Sequence, residues 1–259
     1  MTWKKSLATA MGLLALTVAS VPCAKGETEL EKLFAAPLAD GEAAYMFLAF
    51  SGVIVRTTAG TVIIDPANLL VGDDLSVLAK HKVDAVLYTH GHGDHFDAAT
   101  ARDIVRATGA TIIADQAVAV TLRGGGSIPA EKIMIAAHGQ TLTAGAAKVR
   151  SVAGRHVGPI TLFQVKLGTV SIFHGGDSAY VPVADCPAQL AFLPVGRPSP
   201  TASPAYALKM ALDVKPKTVV LMHGQDEEYA EFKKLAAMEL PGVAVEVGEP
   251  FKAKVVRLD

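Results

Sequence analysis

The sequence predicts an α/β protein: two sheets packed face to face, with helices covering both outer faces. Three observations lead there. Short apolar runs of strand length alternate with helical segments from end to end, and the plan of the first half repeats in the second. Several Asp- and His-bearing segments begin where an apolar run stops, as in Ala85-Val86-Leu87-Tyr88 before Thr89-His90. The composition, 51% hydrophobic and 19% charged over 259 residues, is that of a globular chain able to bury one sizeable core.

Taken in order, Lys4 and Lys5 precede a mostly apolar stretch from Leu7 to Val21, followed by small residues. This reads as an export signal over residues 1–26, with a single domain over 27–259. The apolar stretch is shorter than the roughly 20 residues that span a membrane, so no stable span is expected. Ser20-Val21-Pro22-Cys23 lacks the residues that lipid transfer favours before a cysteine. The expected location is the periplasm or the medium.

Ala44 to Val55 and Thr61 to Ile64 read as paired strands about the turn Thr57-Thr58-Ala59-Gly60. Asp74 to His81 reads as a helix capped by Asp73 or Asp74, and Ala85 to Tyr88 as a buried strand. Asp97 to Thr108 has helical spacing and stops at Gly109. A strand at Ile112-Ile113 then leads to a short helix capped by Asp115. The glycine run 124–126 lacks the Gly-Lys-Ser/Thr of a phosphate loop and reads as a connector. Lys148 to Val152, Ile160 to Val165 and Val170 to Phe173 form a meander, and Gln189 to Pro194 is a buried strand. Ser203 to Leu212, Thr218 to Met222, Asp226 to Met238 and Val243 to Val247 alternate helix and strand. The Pro-rich segment 197–204 is a loop rather than a linker, because the pattern continues beyond it.

The chemistry concentrates in His90-Gly91-His92-Gly93-Asp94-His95. Three imidazoles and a carboxylate within about 20 Å of extended chain are the ligands that zinc and its neighbours prefer. The glycines let the chain fold back so that adjacent rings aim at one point. A net charge of −1, with no cluster of Lys and Arg among aromatics, speaks against nucleic acid as a partner. No Gly-x-Ser-x-Gly elbow is present, which removes the main serine-hydrolase rival.

That cluster, with His156 after a strand-like run, the segment His174-Gly175-Gly176-Asp177-Ser178, His223 at the end of Val219-Val220-Leu221-Met222, and Ile63-Ile64-Asp65-Pro66, resembles the signature of the metallo-β-lactamase superfamily. Its closest likeness there is to small single-domain metal-dependent hydrolases, including ascorbate-6-phosphate-lactonase-like proteins. The likeness runs from about Phe50 to Val256 and implies a four-layer αββα sandwich. It further implies two divalent metals, zinc foremost with manganese, iron or nickel open. His90, His92 and His156 would hold one and Asp94, His95 and His223 the other, with Asp177 bridging and Asp65 behind the ligands. The implied chemistry is a shared hydroxide attacking an ester, lactone, thioester or phosphodiester of a small molecule. Asp94 would be the catalytic group that steers the nucleophile and receives protons. An iron-dependent dioxygenase of the same fold and a non-catalytic periplasmic metal-binding protein are the alternatives. The chain departs from that branch after the last histidine, where Gly224 stands in place of the frequent aromatic.

His81 reads as structural, His138 as exposed, Cys186 as a small buried residue, and His174 as buried behind the site, facing away from Asp177. Arg155, Tyr180, Arg197, Tyr206 and Gln225 flank the ligand segments. Substrate and oligomeric state have no signature.

Overall fold

The computed structural model describes residues 27–259. The expected export signal and Cys23 lie outside them. The first half runs α1 (Glu29–Ala35), β1 (Glu42–Ala49), β2 (Gly52–Arg56), β3 (Thr61–Ile64), α2 (Asp73–Leu78), β4 (Ala85–Tyr88), α3 (Ala98–Thr108), β5 (Thr111–Ala114), α4 (Gln116–Gly124) and β6 (Ile133–Ile135). The second runs β7 (Thr141–Ala144), β8 (Ala147–Ala153), β9 (Thr161–Leu167), β10 (Val170–His174), β11 (Leu190–Pro194), α5 (Pro204–Val214), β12 (Thr218–Met222), α6 (Asp226–Glu239), β13 (Ala244–Val247) and β14 (Lys252–Arg257).

Two seven-stranded mixed sheets result, ordered β14-β1-β2-β3-β4-β5-β6 and β13-β12-β11-β10-β9-β8-β7. Within them β3 to β6 and β10 to β13 are parallel ladders, whose crossovers place helices on the outer faces. Successive residues of a strand point to opposite faces, so strand β1 serves two cores. Ala44, Met46 and Leu48 join the helix-side core, while Ala43, Tyr45 and Phe47 join the core between the sheets. A third core packs β11 and β12 against α5 and α6 through Phe192's neighbours Ala191 and Leu193, with Met210 and Phe232. Burial on both faces explains why these strands read as continuous apolar runs.

The helix caps follow the sequence in three places. Asp97 accepts from Thr100 N at 2.7 Å and Gly109 ends α3 at φ +70°, Asp115 accepts from Ala117 N at 2.7 Å, and Ser203 accepts from Tyr206 N. The expected acidic cap of α2 is corrected: Gly72 at φ +57° is the cap residue, with no side-chain bond, and the helix ends at Leu78. A left-handed turn is needed there, which suits glycine, and Asp73 and Asp74 sit in the first turn where the helix dipole favours acids. The expected single strand from Ala44 to Val55 is also corrected. It is a hairpin of β1 and β2 that reverses at Phe50 and Ser51, with Phe50 at φ +52°.

Candidate metal centre

All the ligand segments leave the C-terminal ends of strands that point toward one edge of the two sheets, where α/β folds build their sites. Strands β3 and β4 deliver Asp65 and the His90–His95 loop from the first sheet; β8, β10 and β12 deliver His156, Asp177 and His223 from the second. Of the six non-glycine residues at positive φ among the described residues, four are here: Phe50, Asp65, Ala67 and His223. Such residues cost of order 1–3 kcal/mol each and persist only where surrounding contacts over-determine them. Those contacts are visible. His223 N donates to Phe50 O at 3.2 Å and Ala67 N to His95 O at 3.0 Å.

Asp65 is the organising carboxylate. Fully buried, it accepts from Thr89 N at 2.8 Å, Thr89 Oγ1 at 2.6 Å and His95 Nδ1 at 2.8 Å. The Thr89 hydroxyl, having given its proton to Asp65, must accept from His90 Nδ1, 3.0 Å away. Likewise Thr201 Oγ1 donates to the Asp177 carbonyl at 2.7 Å and so accepts from His156 Nδ1 at 2.8 Å. These bonds fix three ring orientations: His90 and His156 each turn a bare Nε2 inward, and His95 points its Nε2 at Asp177 Oδ1, 3.1 Å away.

The inward atoms form two groups, His90/His92/His156 and Asp94/His95/Asp177/His223, and within each group one ligand atom per residue lies within 4.8 Å of the others. His90 Nε2 is 3.0 Å from His92 Nδ1, which is 3.3 Å from His156 Nε2. In the second group Asp177 Oδ1 is 3.1 Å from His95 Nε2 and 2.8 Å from His223 Nε2, and those two nitrogens are 3.3 Å apart. Asp94 Oδ2 stands 3.6 and 3.8 Å from the same nitrogens. In the first group three nitrogens converge, and a proton can bridge only one pair of them, whereas a cation can be shared by all three. The donor set, nitrogen-rich with two carboxylates, fits zinc and its neighbours.

Electrostatics follow from burial and neighbours. Burial pushes His90 down to about 3, with His95 adding to the effect. For His95, burial acts the other way from the outcome: Asp65 and Asp177, one on each side of the ring, outweigh it and hold the imidazole at about 10. Asp177 stays well below the usual carboxylate range because His223 and His95 override its desolvation.

His174 is outside both groups. It is fully buried at the end of β10, with Nε2 donating to Ser51 O at 2.8 Å, and Ser51 Oγ lies 2.8 Å from His95 Nδ1. Of the flanking residues, Tyr180 OH donates to Asp213 at 3.1 Å, Gln225 caps α6, Arg155 lies over the Tyr206 ring, and Arg197 faces Glu228. His138 is exposed, Cys186 buried and free, and His81 stacks on Phe34 at 4.0 Å. Sequence reasoning missed Ser51, Thr201 and the tautomer-setting role of Thr89. Single hydroxyls carry no spacing signature, although Thr89 stands directly before the histidine cluster.

Residues 61–224, which hold every one of these candidate ligands, match the family described as a beta-lactamase superfamily domain. A UPF0173 metal-dependent hydrolase from Thermococcus kodakarensis is 32% identical over 210 residues, covering 73% of this chain and 90% of the relative. The chain belongs to the metallo-β-lactamase superfamily. A second UPF0173 metal-dependent hydrolase, from Methanopyrus kandleri, is 29% identical across 80% of this chain and 98% of its own. Among solved structures, Igni18, a metallo-hydrolase from Ignicoccus hospitalis, superposes with a TM-score of 0.66 at 21% identity, covering 83% of this chain and 98% of that one. The fold is thus the superfamily's αββα sandwich, and the relatives' names support a metal-dependent hydrolase over the oxidative and non-catalytic alternatives. No helix among the described residues is long and apolar enough to cross a membrane.

Proposed function

We propose that this metal-dependent hydrolase is binuclear and cleaves an ester, lactone, thioester or phosphodiester of a small molecule. One observation carries the reading: the two groups lie side by side, with His90 and His95, one from each, at a ring-centroid distance of 4.0 Å. His90, His92 and His156 would hold one ion, and Asp94, His95 and His223 the other, with Asp177 between them. When bound, a divalent pair supplies Lewis acidity and a hydroxide nucleophile near neutral pH. The chain's own groups do the rest. Asp65 anchors His95, Thr89 and Thr201 keep His90 and His156 in the ligating tautomer, and Asp94, the most exposed carboxylate of the set, accepts and returns the proton. Zinc is the favoured ion, with manganese, iron and nickel compatible with the same donors.

Metal analysis of protein purified without added metal, followed by a hydrolysis panel, tests this. Two ions per chain and turnover of at least one of the four bond types are expected. A fully loaded preparation holding one ion defeats the binuclear reading. The lysine-led apolar segment ahead of residue 27 supports export to the periplasm or medium; an intact N-terminus on protein recovered from its native compartment would overturn that part.

A further inference from the structure

Beside His223 lies a cleft of about 390 Å³, within the range of small-ligand sites, roughly 300–1,000 Å³. Its walls include Phe47, Phe50, Tyr229, Val247 and Pro250, and Arg197 is the one lysine or arginine among its lining residues. Phe50 is 43% exposed although its backbone sits in the left-handed region and its ring centroid is 6.3 Å from that of His223. Phe50 thus presents an aromatic ring at the cleft, held there by a backbone anchored to His223. Two glycines keep the walls tight. A Cβ on Gly224 would meet the Tyr229 ring at 2.7 Å, and one on Gly248 would meet the Phe47 ring at 2.7 Å. Gly224 thus makes room for the aromatic side chain of Tyr229, brought in from helix α6. Arg197 is drawn toward Glu228, its Nε 3.5 Å from that carboxylate and its backbone N donating to it, with the guanidinium largely exposed at the edge of the cleft.

We propose that this cleft binds the apolar acyl or aryl substituent of the substrate, so that the enzyme prefers neutral carboxylic esters and lactones over phosphodiesters. The inference rests on the hydrolytic reading of the adjacent centre. The step needs only water: the acyl carbon gains a C–O bond from it, the ester C–O bond breaks, and the proton passes through Asp94 to the leaving alkoxide.

The test uses metal-loaded enzyme and p-nitrophenyl acetate, butyrate and hexanoate beside bis(p-nitrophenyl) phosphate, with Phe50→Ala and Val247→Trp as variants. For wild type, kcat/KM should rise about fourfold per added methylene, through KM, as expected for burial of each group. The hexanoate-to-acetate ratio should collapse toward one in both variants. Calorimetry of the unreactive N-methylhexanamide should show binding to wild type and at least tenfold weaker binding to Val247→Trp. If the tryptophan variant fails to fold, Phe50→Ala carries the comparison alone. Turnover with no chain-length slope, a slope that survives both variants, or preference for the phosphodiester overturns the cleft assignment and leaves the hydrolase reading intact. No turnover of either class, nor of a lactone or a thioester assayed beside them, defeats the hydrolase reading, and amide binding that is absent or indifferent to the variants then defeats the cleft assignment as well.

Discussion

At the scale of single residues, the separation between Asp177 and His174 is sharp although three positions divide them. Asp177 Oδ1 faces two Nε2 atoms at 2.8 and 3.1 Å, whereas His174 points its ring at the backbone of the β1–β2 turn. Asp177→Ala should therefore lose at least one ion per chain, and activity with it. His174→Ala should keep its metal and lose about 10- to 100-fold in rate, the scale of losses for groups that support ligands from behind. His174→Gln, which retains a donor for Ser51 O, should recover part of that loss. Metal content and rate measured on the three variants at equal folded fraction decide the matter. An Asp177→Ala protein with two ions and full activity, or a His174→Ala protein stripped of metal, would show the roles to be wrongly divided.

At the scale of elements, Asp84 holds the two sheets in register below the site. Its carboxylate accepts from Thr61 N at 3.0 Å, at the start of β3, and from Ala146 N at 2.9 Å, in the turn between β7 and β8, with Lys82 Nζ at 2.8 Å. Gly60 and Gly145 lie so close that a Cβ on either would strike this carboxylate. Burial acts to raise its pKa, but the Lys82 bond and the two backbone donors prevail, and the folded value lies below the ordinary one. A carboxylate depressed in the folded state contributes stability above its unfolded pKa, about 4, and that contribution is lost as pH falls through the folded value. Asp84→Asn should cost about 1–3 kcal/mol at pH 7, since its amide leaves at least one buried donor unmatched, and less at pH 3. Urea unfolding at both pH values checks this, and equal costs would remove the linkage argument. Such tertiary bonds also explain what the sequence could and could not reveal. Helices α3, α4 and α5 announce themselves through Asp97, Asp115 and Ser203, and the ligand loop through its own spacing. The reversal at Phe50 and Ser51 has only the Ser51-Gly52 pair to mark it within a long apolar run, and its backbone is satisfied by the distant His174 and His223. Helix α1, despite its Thr28–Glu31 capping box, and strands β6, β7 and β14 escaped notice because each is short or only partly apolar and is defined by the strand or helix it packs on. Asp65 and the cluster were legible because each is local; Ser51 and Thr201 were not, because their roles exist only once distant segments meet.

At the scale of the whole molecule, each ligand group draws on both sheets. His90 and His92 come from the first and His156 from the second; Asp94 and His95 from the first, Asp177 and His223 from the second. An ion in either group would therefore tie the two halves together at the edge opposite Asp84. Ligand that binds the folded state alone adds about 4 kcal/mol when present at a thousand times its Kd. For a chain of this size each kcal/mol moves Tm by roughly 2–4 °C. Chelation of one such site should thus lower Tm by about 10 °C, and re-addition of metal should restore it. In Asp177→Ala the drop should be smaller, because less metal is there to remove. The measurement is a thermal scan with metal content assayed on the same samples. If verified removal of both ions leaves Tm unmoved, the centre does not join the sheets, and the close approach of its nitrogens must be relieved by protons and water instead.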